Sequence, residues 1–250
     1  MKLMITDNRG KIPILFIHPW TGFYGAETSL YLLIKYLNRE IFQPVVVLPD
    51  EGPLWEKLQT LNIPISIAPL VPWFNVDGSA SGLLRWLADL SERVRPITDN
   101  VHEWDIKIVH SNVADIFEGA IAGTLTGRPH ICTVRNNRFT HTWLKSVISI
   151  ASVHEILSSM SHMIVPVSSA VKEAISPFVA PTKLRVIYNG VEIQPVQTHP
   201  GRSSPDTVLP QAENPREPRI SSIGRVSEEK GYDLLIDAAD RDNLHVGRYR

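Results

Sequence analysis

Two cations near the carboxyl end carry the strongest chemical signal in this chain. The segment from Ile220 to Ala239 reads as a short apolar strand, a turn bearing Gly224, Arg225, Lys230 and Gly231, and the opening of an amphipathic helix. Arg225 and Lys230 stand where a strand meets a helix N-terminus, so fixed positive charge and helix N–H groups would converge on one anion. A diphosphate suits that arrangement. The same charges would stabilise the negative charge that develops on a departing nucleotide diphosphate.

In doubly wound sheets ligands bind beyond the carboxyl ends of the strands, so the residues following each predicted strand complete the shortlist. The first such loop runs from Pro19 to Glu27. Gly22 and Gly25 would let backbone approach a phosphate ahead of a helix, and they would equally suit a plain tight turn. Glu27 is either an acceptor contact or a favourable charge in the first helical turn. A second loop runs from Arg135 through Asn136 and Arg138 to His141. No Asp or Glu occurs between Gly119 and His154, whereas Arg128, Arg135, Arg138 and Lys145 do. Arg135 and Arg138 could meet a phosphate on a donor or an acceptor, and Phe139 and Trp143 would let the same patch touch a membrane surface. An ordinary solvated basic face is the alternative. His18 and His110 close apolar strands and read as hydrogen-bonded structural residues. Neither the histidine spacing nor the single Cys132 suits a metal site, and Cys132 reads as a small buried hydrophobe. Val167-Ser-Ser-Ala lacks the flanking glycines of a nucleophile elbow.

The elements that would position these residues alternate regularly. Strands are predicted at Ile12–His18, Pro44–Leu48, Ile63–Leu70, Ile106–His110, His130–Arg135, Met163–Val167 and Leu184–Tyr188. Helical spacing covers Ala26–Leu37, Leu54–Leu61, Gly82–Arg95, Ile116–Leu125, Trp143–Ser159 and Ala170–Ile175. Strands that are apolar nearly throughout, alternating with helices, imply an α/β fold: a Rossmann-like parallel sheet with helices on both faces. The texture then changes. Pro195, Pro200, Pro205, Pro210, Pro215 and Pro218 stand among polar residues, which predicts an extended linker. The expected organisation is a Rossmann-like domain over 1–193, a Pro-rich linker over 194–218, and one strand and helix over 219–250. One βα unit cannot cover a parallel strand, and a second domain would need roughly 150 further residues. The chain is therefore expected to be truncated and inactive alone.

Composition narrows the function classes. A formal net charge of −1 argues against a dedicated nucleic-acid binder, and 43% hydrophobic residues supply ample core. One cysteine excludes an internal disulfide and fits a reducing compartment. The sequence shows neither a signal peptide nor a run long enough to span a bilayer, so a cytoplasmic location is the default.

Four stretches in order resemble the family 4 glycosyltransferases, retaining enzymes of the GT-B fold. Gly224-Arg225 followed by Lys230-Gly231 and Asp233 resembles the entry to their donor domain. Ile14–Pro19 with Tyr24–Glu27 resembles their first strand and glycine loop, and Asp105–Asn112 their fourth strand. Met163–Lys172 with Lys183–Val191 resembles the run closing their N-terminal domain. The resemblance implies sugar transfer from a nucleotide-diphosphate sugar to a hydroxyl with retention, without a bound metal or other cofactor. Arg225 and Lys230 would be catalytic, neutralising the departing diphosphate, and Gly25 and Gly224 would help bind it. Acceptor-side candidates are Glu27, Arg135, Asn136, Arg138 and His141. The family often places a histidine near the end of the fifth strand. Arg135 and Asn136 stand there instead, and the first histidine is His141. Expected partners are the donor and a carbohydrate or lipid-linked acceptor, with peripheral contact at the inner face of the membrane. The alternatives are a non-catalytic acceptor or phosphate-ligand binding module, and a GT-B epimerase acting on a nucleotide sugar.

Overall fold

A computed structural model describes residues 10–74, 79–140, 146, 148–193 and 231–241. Gly224, Arg225, Lys230, His141 and the proline-rich segment lie outside the described residues. Six strands, β1 (Ile12–Ile17), β2 (Phe42–Leu48), β3 (Ile65–Ile67), β4 (Ile108–Ser111), β5 (His130–Val134) and β6 (Met163–Pro166), form one sheet in the order β3-β2-β1-β4-β5-β6. All five pairings are parallel. The helices are α1 (Gly25–Lys35), α2 (Pro53–Gln59), α3 (Ala80–Ala88), α4 (Leu90–Glu103), α5 (Glu118–Thr126), α6 (Ile150–Met160), α7 (Ser169–Ile175) and α8 (Tyr232–Arg241).

The continuous apolar strands follow from burial on two faces. Ile14 and Phe16 of β1 pack with Leu30 and Ile34 of α1 and Leu54 and Leu58 of α2. Leu15 and Ile17, pointing the other way, pack with Val94, Ile97 and Val101 of α4. A further cluster joins Cys132 and Val134 of β5 to Val153 and Leu157 of α6 and Val171 of α7. The Rossmann-like α/β sheet expected from the sequence is thus present. Its strand order reverses between β1 and β4, which makes that junction the switch point where ligands bind in such sheets.

Four elements differ from the sequence expectation. The strand predicted over Ile63–Leu70 is formed only at Ile65–Ile67. The predicted strand Leu184–Tyr188 makes only an isolated bridge between Ile164 and Leu184. Arg185 and Ile187 donate to the carbonyls of Ile164 and Pro166 at 3.1 Å each. Continuing the ladder would need an N–H from residue 166, and proline has none. The single helix predicted over Gly82–Arg95 is two, α3 and α4, interrupted at Asp89. Finally, α6 begins at Ile150, where Ser149 Oγ accepts the backbone N–H of Ser152 and caps the helix.

The chain divides into two units, residues 1–193 and 194–250. In the second unit the described residues are α8 and Gly231, which precedes it with a φ of +62° that favours glycine. Among the described residues, no helix is long and apolar enough to cross a membrane.

Candidate functional site

The carboxyl ends of β1, β4 and β5 carry a connected polar cluster. His18 follows β1, and its Nε2 donates to Glu27 Oε1 at 2.9 Å. The backbone N–H of Tyr24 donates to the other carboxylate oxygen, Oε2, at 3.0 Å. Glu27, only 4% exposed, thereby pins the β1–α1 loop to the first turn of its own helix. Burial alone would raise its pKa, but the hydrogen bond from His18 and the neighbouring backbone donors and charge outweigh it, holding Glu27 below the ordinary carboxylate value. With the His18 proton on Nε2, Nδ1 is an acceptor, and Asn112 Nδ2 lies 3.3 Å from it. Asn112, just beyond β4, also donates to the carbonyl of Ala26 at 3.2 Å.

Arg135, the first residue beyond β5, closes this cluster from the other side. Its Nε donates to the Asn112 carbonyl at 2.9 Å and its Nη2 to Asn112 Oδ1 at 2.7 Å. Nη1 donates to Ser29 Oγ of α1 at 2.9 Å and to Asn189 Oδ1 at 2.8 Å. One guanidinium therefore ties β4, β5, α1 and the segment beyond β6 together. Burial pushes Arg135 down to about 10, against the pull of the Glu27 charge, so it stays charged at neutral pH.

Arg138 sits three residues further along, in a short 3-10 turn at Arg138–Thr140. Its Nη2 donates to Asp115 Oδ2 at 2.6 Å. Together with Asn136, Arg135, Asp115, Trp73 and His154, it lines a pocket above β4 and β5. His154 is held down to about 4 by burial, so it faces this pocket as a neutral imidazole near pH 7. His110 and His130 are structural: His110 Nε2 lies 2.8 Å from Thr133 Oγ1, and His130 sits between Ser111 and Ser161 at 2.9 and 2.8 Å. Burial, with the Arg135 charge adding to it, lowers His110 to about 4. Burial likewise lowers His130 to about 3, with the neighbouring His110 and His162 adding to it.

The two glycines of the first loop are unlike. A methyl group at Gly25 would meet nothing within 4 Å, whereas one at Gly22 would fall 2.9 Å from the Tyr24 ring. Open space thus lies in front of the α1 N-terminus at the switch point. Of the residues singled out from sequence, Gly25, Glu27, Arg135, Asn136 and Arg138 all lie along this edge. The partners that organise them, Ser29, Asn112, Asp115 and Asn189, escaped notice. Asn112 and Asp115 follow the carboxyl end of a predicted strand, so position could have flagged them. Nothing local marks Ser29 or Asn189. Among the described residues, no group of three or more His, Cys, Asp or Glu is placed to hold a metal.

The sequence model of Glycosyltransferase Family 4 matches residues 23–194, well over half of the chain. No curated protein matches the chain by sequence. Two solved structures of Anabaena Alr3699/HepE are similar in fold, each at 20% identity and over 72% of this chain. The complex with UDP-glucose gives a TM-score of 0.54 over 44% of its own length. The complex with UDP and glucose gives 0.52 over 45%. A glycosyltransferase from Rickettsia africae is similar at 18% identity and TM-score 0.51, over 72% of this chain and 44% of its own. The chain therefore spans a little under half the length of these proteins, and at such identities the likeness concerns the fold. By the extent of the family match, the chain belongs to glycosyltransferase family 4.

Proposed function

We propose that this protein acts in sugar transfer from a nucleotide-diphosphate sugar to a hydroxyl acceptor with retention, residues 1–193 forming the acceptor side. Residues 194–218 serve as a linker, and 219–250 open the donor domain. In the reaction the bond between the anomeric carbon and the diphosphate oxygen breaks. The acceptor oxygen bonds to that carbon on the same face, and its proton leaves. Arg225 and Lys230 receive the negative charge gathering on the diphosphate. Gly25 and Gly224 let backbone come close to it. Asn136, Arg138 and His141 serve the acceptor, while Glu27 and Arg135, whose polar atoms are already engaged, hold the edge in shape.

The observation that carries this reading is the open space before Gly25, at the N-terminus of α1 and the switch point of a family 4 domain. The acceptor is a carbohydrate, free or lipid-linked. In the lipid-linked case the exposed Phe139 would touch the inner face of the membrane.

A transfer assay with UDP-glucose as donor, run on a version of the chain completed with a donor domain, tests the reading. Arg225→Ala should lower kcat/KM by about 10²-fold, because a charge-assisted contact to the leaving group is worth about 3 kcal/mol in such a site. Thermal stability should hold, since a turn cation leaves no cavity on removal. Near-normal turnover by the variant, or a loss that tracks unfolding, would sink the mechanism.

A further inference from the structure

Residues 184–193 begin beside β6, an edge strand of the sheet, and end beside α1, which follows β1 three strands away. Backbone bonds to Ile164 and Pro166 hold the start of this strap. Beyond Ile187 its fastenings are polar side chains. Asn189 Oδ1 accepts from Arg135 Nη1 at 2.8 Å and from Ser29 Oγ at 3.1 Å. Glu192 Oε1 accepts from Lys35 Nζ at 2.8 Å and from the Tyr36 hydroxyl.

Burial does not hold this stretch. Every residue from 188 to 193 is exposed, Val191 at 82% and Ile193 at 89%. Lifting it from α1 therefore brings little new apolar surface into water. The Lys35–Glu192 pair is open to solvent and contributes little, as exposed ion pairs do. Asn189 is the stronger fastening, because its donor is a charged, half-buried guanidinium.

That fastening sits beside the space in front of Gly25. Ser29 lies four residues after Gly25, one turn along the same face of α1. Arg135 Nη1 reaches this face and donates to Ser29 Oγ at 2.9 Å. At this node an uncharged amide oxygen occupies a guanidinium N–H. An anionic oxygen makes a shorter and stronger bond to the same donor. Arg135 keeps its bonds to Asn112 and Ser29 in that exchange, so the edge stays fastened and Asn189 alone lets go.

We propose that Asn189 is an internal competitor for that anionic oxygen: a diphosphate arriving before Gly25 displaces it from Arg135 and frees residues 188–193 from α1. The diphosphate itself rests on the proposed function; the release of the strap is the new element. Because the two occupants exclude each other, an anion that loosens the strap must bind more tightly once the strap is already loose.

The test uses inorganic pyrophosphate and the 250-residue chain carrying a nitroxide at Val191→Cys. Cys132 is fully buried, so only the new thiol takes the label. Saturating pyrophosphate should raise the mobile fraction of the label at least about twofold, and chloride at equal ionic strength should leave it unchanged. Calorimetry should find pyrophosphate bound about fivefold or more tightly by Asn189→Ala, whose strap is already loose. Asn189→Asp should bind it about fivefold or more weakly, since a carboxylate holds Arg135 harder and repels the anion. Both variants change an exposed side chain and should keep the melting temperature of the parent. An unmoved strap, an equal response to chloride, equal affinity in Asn189→Ala, or no pyrophosphate binding by the parent each overturns the inference. The transfer assay on the completed chain reads the glycosyltransferase proposal separately. Sugar transfer with an unmoved strap leaves that reading standing, and a strap released by pyrophosphate without transfer leaves this one.

Discussion

Arg135 and Arg138 leave the same loop three residues apart, and the fold uses them in opposite ways. Arg135 turns inward and makes four hydrogen bonds to Asn112, Ser29 and Asn189. Arg138 makes one, to Asp115, leans on Phe74 and keeps a buried Nε without a partner among the described residues. Residue type and loop position are shared, so neither decides which cation is available to a ligand. What decides is how many acceptors the surrounding elements bring within reach. Around Arg135 three elements converge; around Arg138 a carboxylate and an aromatic ring do. The first arginine is a fastener, the second part of a lining.

The largest effect should come from acid, because each region contains a buried histidine. His110 near Arg135 and His154 beside Arg138 are both held at about 4, below the ordinary value of 6.5, and His130 beneath them at about 3. The unfolded chain therefore takes up protons first. The stability these neutral imidazoles contribute is complete above about pH 6.5 and is lost as pH falls towards their depressed values, by up to about 3 kcal/mol for His110 or His154 and about 5 kcal/mol for His130. Glu27 acts in a lower window, since its own depressed value delays its protonation until below the ordinary 4.5. Melting temperatures measured from pH 7 to 4.5 should fall steeply, and His110→Gln with His154→Gln should flatten the curve. A level profile in the parent chain would mean that these sites open to water.

Arg135→Lys is the next largest and bears directly on the contrast. A single ammonium cannot meet both oxygens of Asn112 together with Ser29 and Asn189, so several buried acceptors lose their donor. The expected cost is about 2 kcal/mol, or a fall of roughly 4–8 °C in melting temperature. Amide exchange in residues 184–193 should quicken as the Asn189 anchor loosens, although Lys35 still pairs with Glu192 at 2.8 Å. If the substitution were silent, Arg135 would not be a fastener.

The sheet was legible because its causes are local and repeated. Apolar β-branched runs at regular spacing mark strands covered on both faces, and Ile14 to Ile17 could hardly be read otherwise. The strand at Leu184–Tyr188 misled for a local reason too: the run is β-branched, and the obstacle is a proline on its neighbour, 18 residues earlier than Leu184. The site was legible only as a set of positions. Gly25, Glu27, Arg135 and Arg138 could be placed at one edge, but the identity of their partners depends on the strand order. Asn112 and Arg135 meet because β4 and β5 are neighbours. Phe74 reaches Arg138 because the chain beyond an edge strand doubles back over the sheet, and no short-range pattern encodes that path.

Arg138→Lys is the smallest expected effect and the most discriminating. Lysine keeps a positive charge for Asp115, which would otherwise remain as an unpaired buried carboxylate at large cost. What goes is the planar contact with Phe74 and an Nε that makes no bond to lose. The cation–ring contact is worth about 0.5–1 kcal/mol at a partly exposed site, so the destabilisation should stay below about 1 kcal/mol and below half that of Arg135→Lys. Denaturant unfolding of the two lysine variants side by side measures this ratio. Equal costs would mean that the Arg138 Nε is bound by a partner inside the domain, and that both arginines are fasteners.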